Sequence, residues 1–398
     1  MTHGFALLRK QHLAPPADIR VVSSLPADLD QYGGLTAFDL ETHGLDPRKG
    51  AIRSIALSND YGTIAIDYEA LPDSQQRDLM QWMLQQQVIA HNAMFDCAWI
   101  YHITGCLPQI EACTLILFKM MATEGYTGQR WGLKTAMTDV LGWPESNEKD
   151  LYDWLKANKL RAADMAQAPW DILGKYNALD TAATWQLYSY FRQVCEENNW
   201  QECILDFHKS DFINLVNLLI EQQQKGITVD LVAMEIFDKK LQDSIEEHKD
   251  AILMDEAVRP HVEYYQQLIV ESILEARPDQ FTKTGKVAAR YTKWEEKLHG
   301  AENRLDFNIN SGNQLKWLFF ERMMFECPIL TDTGTQSITK KTLKYLGKYG
   351  KMIKDYREVV KRREFVASLY DVQQDGVVHP NMKPHATVSG RCGGGQTK

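Results

Sequence analysis

Four acidic residues stand at spacings that suit metal-assisted chemistry. Asp39 and Glu41 are two positions apart in LTAFDLETHGL, Asp96 ends HNAMFD, and Asp180 lies in YNALDTAAT, four positions after Tyr176. Carboxylates gathered in one cleft raise one another's pKa values or bind cations. Hard divalent ions, which prefer oxygen ligands, usually fill such sites where phosphodiesters are cleaved. If these segments meet, the sequence predicts a divalent-metal site.

Each pair has the spacing that its expected secondary structure requires. Asp39 and Glu41 fall on a predicted strand, where alternate side chains point to one face. Tyr176 and Asp180 are four apart on a predicted helix and so share a helix face. Each signal is weak alone, because Asp96 could serve a helix dipole and Tyr176 could be a core aromatic residue. Their order along the chain makes the combination more specific than its parts.

The elements that must position these residues are strands followed by helices. We expect an irregular lead-in over residues 1–30 and an antiparallel meander of three strands, LTAFDL, AIRSIALS and GTIAID, separated by turn residues. Further predicted elements are a helix over 73–87, a strand over 88–91, a helix through Asp96 to His102, and a long helix from Pro169 to about Cys195. This pattern predicts a mixed α/β domain over residues 31–198.

From Trp200 the pattern becomes mainly helical. One helix is predicted to end at Gly226, the next to run from Leu231 to about Arg259, and a later one to begin at a cap formed by Asn310 or Ser311. We therefore expect a helical region over residues 199–375, followed by a strand-like segment over 376–398.

Composition excludes several classes of protein. The 398 residues allow two or three domains, and 44% hydrophobic content is ordinary for a globular protein. No apolar run is long enough to span a membrane, and the N-terminus lacks the apolar core of a secretion signal. The seven cysteines form no C-x-x-C pair, which disfavours a zinc ribbon and favours reduced thiols. These features predict a cytoplasmic protein without a membrane partner.

The charge is unevenly distributed. The net charge of −9 disfavours general affinity for nucleic acid, but residues 331–398 carry 13 Lys or Arg against 6 Asp or Glu. A solvated helical face explains most such runs, and a surface for nucleic-acid phosphates is the alternative. Lys340 and Lys341 lie near a predicted helix start, where the dipole gains nothing from cations. This placement favours phosphate contacts.

The motifs FDLETHGL, HNAMFD and YNALDTAAT resemble the three exonuclease motifs of the DEDD nuclease superfamily, and the tyrosine four positions before the last aspartate is similar to its tyrosine branch. The resemblance covers about residues 35–190. It implies an α/β fold of the ribonuclease-H-like type, with a mixed sheet flanked by helices. It also implies a 3′-5′ exonuclease with two divalent metal ions, Mg²⁺ or Mn²⁺.

The resemblance also implies roles for individual acidic residues and the tyrosine. Asp39 would bridge two ions, Glu41 and Asp180 would complete the site of the first, and Asp96 would serve the second, partly through water. Tyr176 would orient the attacking water.

Three further residues are expected to contact the substrate. Leu45 falls where the family inserts a side chain against the terminal base. Asn92 falls where the family contacts the substrate strand, and Thr42 is expected at the terminal nucleotide. The substrate partner would be a single-stranded 3′ end.

The second half resembles the family A DNA polymerases, the bacterial polymerase I class and its phage relatives. The similar segments, which mark the thumb and the entrance to the palm in that family, are EQQQKGITVD, FNINSGNQLKWLFFE, TDTGTQSITKKTLKYL and GVVHPNMKPHATVSGR. The run of Thr387, Ser389, Gly390 and Arg391 resembles T-x-T-G-R, which lies against primer–template DNA. The resemblance implies proofreading during DNA replication in a bacterial or phage-infected cell.

The chain departs from the family pattern at its C-terminal end. The 398 residues contain neither the family's fingers helix nor its palm aspartates, so we expect no nucleotide addition by this chain alone. A split polymerase with palm and fingers on a second chain, an interrupted gene and an excised fragment all remain open. Two other functions also remain open: an RNA-processing exonuclease of the ribonuclease D type and a non-catalytic subunit that binds primer–template.

Overall fold

The computed structural model describes residues 8–122, 131–144, 148–281, 286–303, 307–326, 329–330, 334–384, 386–387 and 391–395. The chain forms two compact units. The first unit comprises Met1–Ile227 with His379–Lys398, and the second comprises Thr228–Val378.

The first unit is built on a six-stranded mixed sheet. In chain order its strands are β1 (Ile19–Val22), β2 (Leu35–His43), β3 (Ala51–Asn59), β4 (Gly62–Ile66), β5 (Gln87–Ala90) and β6 (Gln109–Cys113). The spatial order is β1-β4-β3-β2-β5-β6. The β2–β3–β4 meander is antiparallel, as predicted, whereas β5 joins β2, β6 joins β5 and β1 joins β4 in parallel.

Two strands were not predicted. Strand β1 lies in the expected irregular lead-in, and β6 lies between the helix predicted to end at His102 and the one predicted from Pro169, where no strand was predicted. Both are short and pair in parallel with strands distant in sequence, so neither produces a local hairpin signal. Two further hydrogen bonds hold the lead-in against the rest of the unit. The backbone N–H of Gln11 donates to the carbonyl of Val140 over 2.6 Å, and that of Leu13 donates to the carbonyl of Leu141 over 2.9 Å.

Helices cover both faces of this sheet. They are α1 (Asp73–Met83), α2 (Ala93–Thr104), α3 (Thr114–Met121), α4 (Leu133–Ala136), α5 (Lys149–Ala157), α6 (Trp170–Asn198) and α7 (Asn214–Lys225). Phe38 and Leu40 of β2 join a core with α1, α2 and α7, whereas Ala37 joins a separate core with α3 and α6. Because side chains alternate along a strand, Asp39 and Glu41 lie on the α6 side of the sheet.

Among its described residues the second unit is mainly helical, with a short strand at Val377–Val378. Its helices are α8 (Leu231–Leu253), α9 (Arg259–Glu275), α10 (Ala289–Asn303), α11 (Gly312–Lys316) and α12 (Lys348–Val372). Its core combines Ile252 and Val262 with Leu318, Phe319 and Ile353. The predicted cap is confirmed at Ser311, whose hydroxyl accepts from the N–H of Gln314 over 3.3 Å.

The helix predicted from Leu231 to about Arg259 was wrong at its end. It stops at Leu253, and α9 begins at Arg259. Pro260 is placed in the first turn of α9, where its missing N–H costs nothing, and Asp255 accepts from the N–H of Ala257 in the intervening turn.

The two units divide the chain at different points from the predicted boundaries at 198 and 375. The chain passes into the second unit at Thr228 and returns to the first at His379. The segment after α6 stays with the first unit because Ile213, Val216 and Leu219 are buried in the core that contains α2. No helix of the described ranges is both long and apolar enough to cross a membrane.

Candidate active site

Strand β2 and helix α6 carry the central carboxylates. Asp39 and Glu41 project from one face of β2, opposite Ala56 and Ser54 of β3. Asp180 lies in the middle of α6, which packs across this face. Oxygen atoms of Asp39, Glu41 and Asp180 all lie within 4.8 Å of one another. Glu41 and Asp180 are buried, with 8% and 6% of their surface exposed. Three carboxylate oxygens at this spacing are a donor set that suits a hard divalent cation.

Asp96 approaches the cluster from the first turn of α2. It is 2% exposed, and its Oδ1 accepts a hydrogen bond from the backbone N–H of Leu40, over 3.2 Å. Leu40 lies between Asp39 and Glu41, so this bond ties α2 to the strand segment that carries them. Asn92 precedes α2 with φ of 73°, a left-handed conformation that Asn adopts more readily than most residues.

Asn177 connects Asp39 to the neighbouring strand. Its Nδ2 donates to Oδ2 of Asp39 over 2.7 Å, and its Oδ1 accepts from the hydroxyl of Ser54 over 2.9 Å. Asn177 and Ser54 are fully buried. Because Ser54 occupies the amide oxygen, the amide nitrogen is left to face Asp39.

Lys134 of α4 reaches the same cluster. Its ammonium group pairs with Oδ1 of Asp180 and with Oε1 of Glu148, the latter over 2.6 Å. The same nitrogen lies 4.1 Å from the centroid of the Tyr176 ring. Tyr176 is 9% exposed and is hydrogen bonded to Asp180.

Burial and mutual repulsion oppose ionisation of the clustered carboxylates. Burial, together with the charge of Asp180, raises the pKa of Glu41 to about 8. Burial likewise raises the pKa of Asp96 to about 8. The pKa of Asp39 is raised well above its usual range by burial and then by Asp96 and Glu41, while Lys134 opposes the shift. Such mutual repulsion in a desolvated site is relieved when a cation binds.

Burial also shifts the pKa values of Tyr176 and Lys134, which contact the cluster. It raises the pKa of the Tyr176 phenol, and Asp180 adds to the shift, so this hydroxyl stays protonated at neutral pH. For Lys134, burial lowers the pKa, but the pairing with Asp180 and Glu148 outweighs it and the net shift is upward. Lys134 is therefore a cation in this arrangement.

The residues expected to contact substrate lie at the end of β2 and the start of α2. Leu45 is 83% exposed and lies two residues after the end of β2. Thr42 is half-buried, and its hydroxyl donates to the carbonyl of Gly44 over 2.7 Å. Asn92 is half-buried. All three belong to segments that carry the catalytic candidates.

The basic residues singled out in the sequence belong to other segments of the chain. Lys340 and Lys341 are exposed in a turn of the second unit, where the hydroxyl of Thr342 accepts from the N–H of Thr339 over 2.8 Å. Arg391 is exposed, and its backbone N–H donates to the hydroxyl of Thr387 over 2.8 Å. Ser389 and Gly390 of the predicted T-x-S-G-R contact lie outside the described residues.

Sequence reasoning missed three residues of this site: Asn177, Ser54 and Lys134. Asn177 directly follows Tyr176 within a motif already singled out, so its position was a usable signal. Ser54 could have been found only from its pairing with Glu41 in the β2–β3 register. Lys134 is 46 positions from Asp180 and belongs to no spacing pattern.

Comparisons with known proteins identify two segments of the chain. Residues 23–196 match the family model described as 3′-5′ exonuclease, and residues 280–394 match the model described as DNA polymerase family A. The chain carries a 3′-5′ exonuclease domain and a family A DNA polymerase segment. Asp39, Glu41, Asp96, Tyr176 and Asp180 all lie within the exonuclease domain.

The exonuclease domain and polymerase segment have phage relatives. The DNA polymerase of Bacillus phage SP01 is 27% identical over 327 residues, covering 77% of this chain and 33% of that protein. The DNA polymerase of Escherichia phage T5 is 23% identical over 407 residues, covering 96% of this chain and 43% of that protein. The chain thus spans less than half the length of these curated relatives.

A solved polymerase structure shares the fold. The POL domain of Pol1 from M. smegmatis, in complex with DNA primer–template and dNTP, has a TM-score of 0.59 and 16% sequence identity, covering 95% of this chain and 55% of that chain. The predicted α/β exonuclease fold followed by a helical polymerase region is confirmed.

Proposed function

We propose that this chain is the 3′-5′ proofreading exonuclease and thumb portion of a family A DNA polymerase. It hydrolyses the 3′-terminal phosphodiester of single-stranded DNA and releases a nucleoside 5′-monophosphate. The observation that supports this proposal most is the convergence of Asp39, Glu41 and Asp180 within a domain that matches the 3′-5′ exonuclease model.

The proposed cofactors are two divalent ions, Mg²⁺ or Mn²⁺. Asp39, Glu41 and Asp180 would hold one, and Asp39 with Asp96 would hold the other. When bound, such ions lower the pKa of a water molecule and stabilise charge on the phosphoryl oxygens. The raised pKa values of Glu41 and Asp96 support this assignment, since buried carboxylates of this kind need a cation to ionise together.

Residues around the carboxylates would position the substrate. Tyr176, which stays protonated, can hold a water molecule through its hydroxyl without removing the proton itself. Leu45, fully presented to solvent, would contact the terminal base, while Thr42 and Asn92 would contact the terminal nucleotide and its strand. A frayed or mismatched end would reach this site at a lower unpairing cost, which is the physical basis of proofreading.

DNA is the proposed substrate because the two phage proteins described above are DNA polymerases. Lys340 and Lys341 of the second unit and Arg391 would contact the phosphates of primer–template DNA. Contacts of this kind give affinity that is independent of sequence and falls with salt.

The test is the release of mononucleotides from 5′-labelled single-stranded DNA with Mg²⁺, beside an RNA oligomer of the same sequence. The chain should shorten the DNA one nucleotide at a time, and the double substitution Asp39→Ala with Glu41→Ala should abolish this activity. Asp171→Ala, an exposed carboxylate of α6, is the matched control and should digest normally. Normal digestion by the double variant would overturn the site, preference for RNA would favour a ribonuclease-D-like function, and inactivity of the wild-type chain would favour a binding role.

A further inference from the structure

Lys134 is a cation inside a cluster proposed to bind cations. Its ammonium group pairs with Asp180, one of the three carboxylates whose oxygens converge, and stands over the face of the Tyr176 ring. The side chain is 36% exposed, so the ammonium group lies at the boundary between the buried carboxylates and solvent. A residue in this position offsets part of the charge of the cluster.

Glu148 offers the same ammonium group a second partner. Its Oε1 lies 2.6 Å from Nζ of Lys134, and its side chain is 21% exposed. Glu148 lies just before α5 and is not among the three carboxylates that converge. Lys134 therefore bridges one carboxylate inside the cluster and one outside it.

We propose that Lys134 is an internal counter-ion of the carboxylate cluster and competes with a divalent cation for Asp180. When the cation arrives, Lys134 gives up Asp180 and keeps Glu148, so its charge is never left without a partner. This inference rests on the proposed metal site. Lys134 is thus a positioning residue, which acts through Asp180 and Tyr176.

If Lys134 exchanges partners in this way, Lys134 and Glu148 should affect metal affinity in opposite directions. Removing the ammonium group by Lys134→Met removes the competitor and should tighten metal binding about tenfold, the scale of one unit charge at close range. Removing the outside partner by Glu148→Gln confines Lys134 to Asp180 and should weaken binding severalfold. The double variant should bind more tightly than Glu148→Gln and slightly less tightly than Lys134→Met, since Glu148 acts mainly on the position of Lys134 and adds only its own charge near Asp180.

The experiment is a titration of the 398-residue chain with Mn²⁺ alone, without DNA, in which electron paramagnetic resonance measures the free ion. Lys134→Arg keeps the charge and should bind nearly as the wild type does. Lys175 and Asp150 supply matched controls, since they form an exposed ion pair of 3.6 Å between α6 and α5. Lys175→Met and Asp150→Asn should leave Mn²⁺ affinity unchanged. Circular dichroism establishes that each variant is folded.

The outcomes distinguish a failure of the proposed metal site from a failure of the counter-ion role of Lys134. If the wild type and Asp39→Ala bind Mn²⁺ alike, the metal site is wrong and the counter-ion role fails with it. If binding requires Asp39 but Lys134→Met leaves the affinity unchanged or weaker, only the counter-ion role is wrong. If Glu148→Gln tightens binding, the exchange between partners is wrong. Should Lys134→Met fail to fold, Lys134→Gln takes its place in the same titration, with the same expected tightening of Mn²⁺ binding.

Discussion

The side-chain amide of Asn177 donates a hydrogen bond to Oδ2 of Asp39 over 2.7 Å, and this contact joins helix α6 to strand β2 at the centre of the carboxylate cluster. The hydroxyl of Ser54 holds the other end of the amide. Asp39 is the carboxylate proposed to serve both ions, and it is held by a neutral residue of the YNALDTAAT motif that was not among the predicted site residues.

Asn177→Ala should lower exonuclease activity about 10-fold to 100-fold, because residues that orient metal ligands have effects of this size. The measurement is the rate of mononucleotide release at saturating Mg²⁺. Asn198→Ala, near the end of the same helix, is the control and should retain full activity. An unchanged rate in Asn177→Ala would show that β2 alone orients Asp39.

Tyr176→Phe should slow hydrolysis by at least about tenfold while leaving Mn²⁺ affinity intact, because the proposed role of the hydroxyl is to position water. The two quantities are measured separately, by single-turnover digestion and by Mn²⁺ titration. Equal losses in rate and Mn²⁺ affinity would instead assign the hydroxyl to holding Asp180.

Leu45→Ala should reduce digestion of DNA without reducing stability. The side chain is 83% exposed, so its removal should change the free energy of unfolding by no more than about 0.5 kcal/mol. Digestion should fall mainly through a higher KM for single-stranded DNA. Ile103→Ala, another exposed apolar residue, is the control, with 46% exposure. A loss shared by both variants would argue against a specific contact at Leu45.

The metal-free protein should lose stability as pH rises from about 5 to about 8. The Glu41 carboxyl ionises near 4.5 when unfolded but near 8 in the folded site. Between these values the folded state binds more protons, so raising the pH favours unfolding. Melting temperatures measured in EDTA should therefore fall across this range, and Glu41→Gln should reduce the slope. An identical slope in the variant would mean that Glu41 does not govern this loss.

His208 should act in the opposite direction at acidic pH. Burial lowers the pKa of its imidazole from 6.5 to about 3, and its Nε2 accepts from the N–H of Cys113 over 3.0 Å. As pH falls below about 6.5 the unfolded chain takes up a proton that the folded chain refuses, so stability falls. Denaturant titrations at about pH 7 and pH 5 should show a smaller loss in His208→Gln than in the wild type. His102→Gln, on the exposed side of α2, should keep the full loss.

The sequence by itself determined the face of the strand or helix on which the side chain of each candidate residue lies. Alternation along β2 places Asp39 and Glu41 on one face, and helical spacing places Tyr176 and Asp180 together, because these periodicities follow from backbone geometry alone. The meander and the helices that carry the candidates were predictable for the same reason. The resemblance of particular motifs and segments to known families was enough to indicate the exonuclease domain and the polymerase segment.

The tertiary structure decided which of these faces meet. Asp180 reaches Asp39 only because α6 packs across β2, and no local pattern specifies that contact. Strands β1 and β6 escaped prediction because their pairing is parallel and non-local. Lys134 had no signal at all, since its significance lies in Asp180 and Glu148, which are brought beside it by the fold. Local spacing specifies the direction of a side chain, but long-range packing specifies its neighbours, and neighbours set the charge and chemistry of the site.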